Sequence, residues 1–153
     1  MYIDREKALQ FQIDPMTLDI ERGRLRFFAR TIGLTDPVYF DVEAARRSGY
    51  RDLPVPPTFL GHSLELELPD PLGWLAALGG DLTKTTHAEQ AFEYRAMAYA
   101  GDRLVLQRRI VDVYTKKNGA LEFVVKQTDV TRGAETLARI QSTIALRHPE
   151  AVQ

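Results

Sequence analysis

Two pairs of prolines, Pro56-Pro57 and Pro69 with Pro71, fence off one apolar stretch, and that fence constrains the chain more than any other feature. A proline ring removes a backbone donor and restricts the residue ahead of it, so Pro56 and Pro57 end whatever precedes them. Pro57 suits the first turn of a helix, where a missing N–H costs nothing. Beyond it, Leu60, Ser63, Leu64, Glu67 and Leu68 follow the three-and-four spacing of a single helical face. Phe59 and Leu66 widen the apolar surface past one stripe. The spacing predicts a helix over residues 57–68, apolar on more than one side. Such a helix needs cover from elsewhere in the chain.

The second half supplies it. Residues 88–94, 103–114, 121–130 and 136–146 read as strands. Phe92 and Tyr94 share one face of the first, and Leu121, Phe123 and Val125 one face of the third. In the last, Ile140, Ile144 and Leu146 alternate with Arg139, Gln141, Thr143 and Arg147. Asn118-Gly119 is a strong hairpin signal, because both central positions of a type I′ turn want positive φ. Arg132-Gly133-Ala134-Glu135 reads as a second hairpin, and Ala100-Gly101-Asp102 as the turn joining the first two strands. These connections predict an antiparallel meander.

Ahead of the fenced stretch the signals are helical and short. Residues 1–14 show no clear period and read as a lead-in helix or arm; Met16 to Ile20 reads as a short strand. Leu25, Phe28, Ala29 and Ile32 sit at i, i+3, i+4 and i+7 of a helix that Gly33 stops. Arg22, Arg24, Arg26 and Arg30 lie off that stripe, as a solvated face does. Leu34 to Phe40 forms a loop around Asp36-Pro37. Asp41 caps a helix over Val42–Ser48 that ends at Gly49, and residues 72–78 form another short helix. The class is α+β: a long antiparallel sheet wrapped around a central helix, the hot-dog architecture, in one domain over residues 1–153.

Composition narrows the function. The net charge of −1 gives no pull toward nucleic acid or an anionic membrane. The absence of cysteine excludes disulfides, thiolate metal sites and a cysteine nucleophile. Three histidines, His62, His87 and His148, leave little for a histidine-rich metal site, so neither metal nor cofactor is expected. The charged N-terminus has no apolar signal core, and no stretch approaches the roughly 18–20 apolar residues of a membrane span. A soluble, cytoplasmic protein is expected.

Several segments, taken in order, resemble the MaoC-like hydratase/dehydratase family. They are Phe28-Ala29-Arg30-Thr31-Ile32-Gly33, Asp36-Pro37-Val38-Tyr39 and Asp41-Val42-Glu43-Ala44-Ala45. Pro56-Pro57-Thr58-Phe59 and His87-Ala88-Glu89-Gln90-Ala91-Phe92-Glu93-Tyr94 are similar to its N-terminal dehydratase type. The resemblance spans roughly residues 10–147. It implies addition of water to a trans-2-enoyl thioester, or its removal from the (R)-3-hydroxyacyl form, on acyl-CoA or acyl-carrier-protein substrates. That chemistry needs a base, an acid, and donors for an enolate-like oxygen.

The family motif reads Gly-Asp-x-Asn-Pro, an aliphatic residue and then His, with a small residue further on; the Asp and His transfer the protons. Gly33, Pro37, Val38 and Ala45 match it here. Leu34 stands at the Asp position, Asp36 at the Asn position and Tyr39 at the His position. Leucine moves no proton, and a tyrosine with an ordinary pKa near 10 is a poor base at neutral pH. Asp36, Tyr39 and His87 are left as the candidates for proton transfer. Pro57, Thr58 and His62 are the candidates for the wall of the substrate channel.

Against those roles, Asp36 also serves simply to fix an Asp-Pro turn, His62 to hydrogen-bond in a packed core, and His87 to lead into the strand beside Glu89 and Gln90. Glu65 and Glu67 raise the alternative of a helix carboxylate in a thioesterase, though a solvated or interface position suits both better. Arg108, Arg109 and Lys126 suit the phosphates of CoA, and equally an ordinary exposed strand. Two readings follow: a hydratase/dehydratase subunit whose catalytic pair sits on a second hot-dog chain, or a stand-alone acyl-CoA-binding or thioesterase-like homodimer.

Overall fold

The alternation read in the second half builds one antiparallel sheet in the computed structural model, which describes residues 2–148 apart from the side chains of His62 and Ser63. Its strands are β1 (Met16–Asp19), β2 (Thr85–Tyr94), β3 (Arg103–Lys116), β4 (Leu121–Arg132) and β5 (Glu135–Arg147). In β3 the buried residues alternate as Leu104, Leu106, Arg108 and Ile110. A bulge between Ile110 and Asp112 then slips the register by one, so Val113 takes over the inward face. On β4 the inward set is Glu122, Val124, Lys126, Thr128 and Val130, all buried.

The strand order is β1-β3-β4-β5-β2, not a meander. The β3–β4 and β4–β5 hairpins form where the turn residues predict them. Gly133 has φ 57° at the first position of a two-residue turn between the paired Arg132 and Glu135. The other hairpin is longer, with Lys117, Asn118 and Gly119 all at positive φ. The correction concerns β2, which pairs with β5, Phe92 opposite Ile140, rather than with the strand that follows it. Its connection to β3 crosses the sheet: Arg95 and Ala96 still donate to Leu137 O of β5, and residues 98–102 then bond elsewhere. Val55 N–H donates to Ala98 O at 2.9 Å, Ala100 N–H to Leu53 O at 3.0 Å and Gly101 N–H to Ile20 O at 2.7 Å. Gly101 does turn, with φ 86°, at the end of that crossing.

The fenced stretch is enclosed only in part, and it is not the helix predicted over residues 57–68. Phe59, Leu60 and Leu64 are at most 3% exposed, while Pro57, Thr58, Glu67 and Leu66, the last expected to widen the buried face, are exposed. Helix survives only as α4 (His62–Glu65), flanked by turns. Bonds of i to i+3 type run through it, from Phe59 N–H to Pro56 O, Gly61 N–H to Thr58 O and Leu64 N–H to Gly61 O. Pro56 and Pro57 have no donor to give the first turn. At Gly61 a Cβ would run into Gln90 Nε2 and stand 3.0 Å from the Phe92 ring, so the sheet packs directly on this backbone. Close packing won over regular helix.

The remaining helices are α1 (Arg5–Gln10), α2 (Arg22–Thr31), α3 (Val42–Arg47) and α5 (Gly73–Ala77). α2 buries Leu25 and Ala29 and ends at Gly33 with φ 77°. Asp41 caps α3 by accepting from Ala44 N–H at 2.6 Å. Two apolar clusters result. One joins α2, the fenced stretch and the Leu104 end of the sheet; the other joins α1, Trp74, Leu75 and the Ile110 end. Among the described residues no helix is long and apolar enough to cross a membrane.

Candidate functional site

The loop after α2 is a 3-10 turn over Pro37–Tyr39, and Asp36 caps it by accepting from Val38 N–H at 3.1 Å. Local chemistry therefore explains Asp36: its exposed carboxylate holds the turn. The same turn brings Tyr39 against the start of the fenced stretch. Tyr39, Pro56, Pro57 and Leu60 line a cavity of about 380 Å³ closed by Tyr94 and the segment 95–98 of the crossing connection. Tyr94 donates its hydroxyl proton to Pro57 O and stacks on Phe92 with ring centroids 5.6 Å apart.

The electrostatics of this cavity favour donation over abstraction. Burial, then Tyr50, then Asp36, pushes the Tyr39 phenol above its ordinary value of 10.0. Burial pushes Tyr94 the same way. Both stay protonated at neutral pH. The Tyr94 proton is committed to Pro57 O, so Tyr39 is the one of the two that can offer a hydrogen bond to a developing oxyanion. Among the described lining residues there is no carboxylate and no imidazole, and Arg95 is the one cation. Its guanidinium is engaged by Glu93 at 2.9 Å.

The sequence-predicted residues are thus only partly gathered. Tyr39 and Pro57 meet at the cavity. Asp36 lies beside it, holding the turn. Thr58 is exposed, with its carbonyl accepting from Gly61 N–H. The His62 side chain lies outside what is described. His87 is exposed on β2 opposite Ile144. It is seven residues from Tyr94 along that strand, roughly 23 Å at about 3.3 Å per residue. Within one chain His87 and Tyr39 do not share this cavity.

The largest departure from the sequence reading lies among the charged residues. Glu65 is not solvated or at an edge: it is 4% exposed, paired with Lys126 at 2% exposure, and accepts from Thr128 Oγ1 at 3.1 Å. Arg108 is 7% exposed. Neither Lys126 nor Arg108 is a surface residue awaiting phosphate. Parity along the strands carries the missed signal, since Arg108 falls in step with Leu106 and Ile110, and Lys126 with Val124 and Val130. Arg109 and Glu67 are exposed as expected, paired with Asp129 and Arg24 respectively.

Sheet, enclosed central segment and Tyr39 cavity together define a hot-dog protein of the MaoC-like dehydratase kind. The chain belongs to this family: the family model described as FAS1-like, dehydratase domain region, matches residues 8–139. A UPF0336 protein of Leifsonia xyli subsp. xyli is 33% identical over 136 residues, 86% of this chain and 87% of the relative. Two solved structures from Mycobacterium tuberculosis share the fold. The HadBC (3R-hydroxyacyl-ACP dehydratase) complex has a TM-score of 0.73 at 24% identity, over 88% of this chain and 93% of that one. The ChsH1–ChsH2 complex has a TM-score of 0.75 at 20% identity, over 94% and 93%.

Proposed function

We propose that this chain is one subunit of an (R)-specific enoyl-thioester hydratase or 3-hydroxyacyl-thioester dehydratase, with the proton-transferring pair supplied by a second hot-dog chain. One observation carries the reading: the residue at the motif's histidine position, Tyr39, lines a cavity whose described walls hold no base, and its own pKa is pushed up. The family's general dehydratase chemistry then has to draw its acid and base from elsewhere. That the two Mycobacterium tuberculosis neighbours are complexes named for more than one component supports this.

In this reading Tyr39 donates to the thioester oxygen as negative charge develops there. Pro57, with Thr58 and His62, forms the wall of the acyl channel, and Asp36 shapes the turn that aims Tyr39. The substrate is an acyl-CoA or acyl-carrier-protein thioester. β2 is the joining edge. It pairs on one side with β5, carries no strand on the other among the described residues, and is exposed over most of its length. A long open edge of this sort is normally covered. His87 lies on it and is assigned to the shared interface.

The test is hydration of crotonyl-CoA by the isolated chain, and by the chain mixed with a hot-dog partner that retains the motif Asp and His. Near-background rates alone and a large rise on mixing are expected, together with sedimentation above the 17.3 kDa of one chain. Enzyme-like turnover by the isolated chain would sink the shared-site reading.

A further inference from the structure

A second cavity, of about 430 Å³, shares no lining residue with the Tyr39 cavity. Trp74 and Arg108 line it, 6% and 7% exposed. The indole Nε1 and the guanidinium Nε are both buried, and neither meets a hydrogen-bond acceptor among the described residues. Buried N–H groups are almost always satisfied, so two orphans on the wall of one cavity call for an acceptor from outside the chain.

Charge sharpens the requirement. Arg108 spends Nη2 on the backbone oxygen of Asp14, at 2.7 Å, and no described carboxylate comes within ion-pair distance of it. The buried carboxylate nearby, Glu65, is taken by Lys126 and Thr128. Lys126 itself lies 5.4 Å from the Trp74 ring centroid. Two buried cations therefore stand against one buried carboxylate, and an uncompensated interior charge is costly. An anion would supply both the missing acceptor and a countercharge beside the buried guanidinium.

The walls decide which anion. Phe11, Leu68 and Ala77 present apolar surface, while Asp14 and Asp70 are exposed carboxylates on the same lining. Those two carboxylates repel a dianionic phosphate about twice as strongly as a monoanion at the same place. A single carboxylate joined to an alkyl chain satisfies both orphans and covers the apolar wall. We propose that this cavity is a second ligand site, holding the carboxylate of an amphipathic monocarboxylic acid between the N–H groups of Arg108 and Trp74. The inference does not depend on the shared-site hydratase reading.

Trp74 is the one tryptophan of the chain, so its emission reports this site directly. The full chain is titrated with octanoate below its micellar range, and in parallel with 1-octanol and inorganic phosphate. Octanoate should give a saturable change, with octanol and phosphate at least tenfold weaker. Arg108→Met should weaken octanoate at least tenfold. Ala77→Phe, a change at an exposed position of α5, fills the cavity while leaving both donors in place, and should do the same with circular dichroism unaltered. Binding of octanol or phosphate as tight as octanoate, no saturable change, or wild-type binding by Ala77→Phe would each overturn the proposal.

Discussion

The carboxylate of Glu65 and the ammonium of Lys126 form an ion pair inside the sheet, 61 positions apart in the chain. They tie α4 to the middle of β4. Burial pulls the Lys126 ammonium below the usual lysine range; Glu65 offsets part of this, and Arg108 adds to it.

Breaking one half of that pair should be far worse than removing both. Glu65→Gln leaves a buried ammonium without its partner and should cost about 3–5 kcal/mol, read as a lower urea midpoint. Glu65→Gln with Lys126→Met removes the charge as well and should recover most of the loss. Equal destabilisation by single and double variants would contradict the pairing.

Asp102 should govern part of the acid limb of stability. Burial, the largest single influence, pushes its carboxyl upward. Bonds from Arg51, Tyr99 N–H and Arg132 outweigh it and hold the group below its ordinary 3.8. A lowered folded value means the contribution is complete above the unfolded value, near 3.9, and is lost as pH falls through the folded one. Asp102→Asn should cost about 2–3 kcal/mol at neutral pH. The gap between wild type and variant should shrink in urea titrations run below pH 4. A gap independent of pH would count against the charge assignment.

The enclosed stretch should tolerate shape but not charge. Leu64 is 0% exposed, so Leu64→Asp should destabilise by roughly 3–5 kcal/mol, while Leu64→Met should stay within about 1.5 kcal/mol. Gly61→Ala meets Gln90, whose side-chain end can swing away, and the Phe92 ring, which is stacked on Tyr94. About 1–2 kcal/mol is expected for it. Thermal melts order the three. A wild-type melt for Leu64→Asp would refute the enclosure.

Restoring the motif is the chemical counterpart. A positioned general acid or base contributes about 10²- to 10⁴-fold, so a chain with Leu34 and Tyr39 at those positions should hydrate crotonyl-CoA barely above background. Leu34→Asp with Tyr39→His should raise the rate of the isolated chain measurably. Tyr39→Phe in the mixed assembly should lower turnover more than it raises KM, because a donor to a developing oxyanion acts chiefly in the transition state. An unchanged turnover would remove Tyr39 from the site.

By itself the sequence determined what neighbours along the chain decide. Strand alternation, the Asp41 cap, the stops at Gly33 and Gly49, the Gly133 hairpin and the Asp36 turn all rest on contacts a few residues apart. The residues at the motif positions, Leu34, Asp36 and Tyr39, were equally legible, because they are read directly from residue type. Tertiary structure alone decided that β2 joins β5, because bonds from residues 98–101 to Ile20, Leu53 and Val55 carry the connection across the sheet. It also broke the helix over residues 57–68 into turns, because Gln90 and Phe92 press on the backbone at Gly61. And it buried Glu65, Arg108 and Lys126: alternation sorts a strand into two faces, but which face meets α4 is settled only when distant elements close over one another.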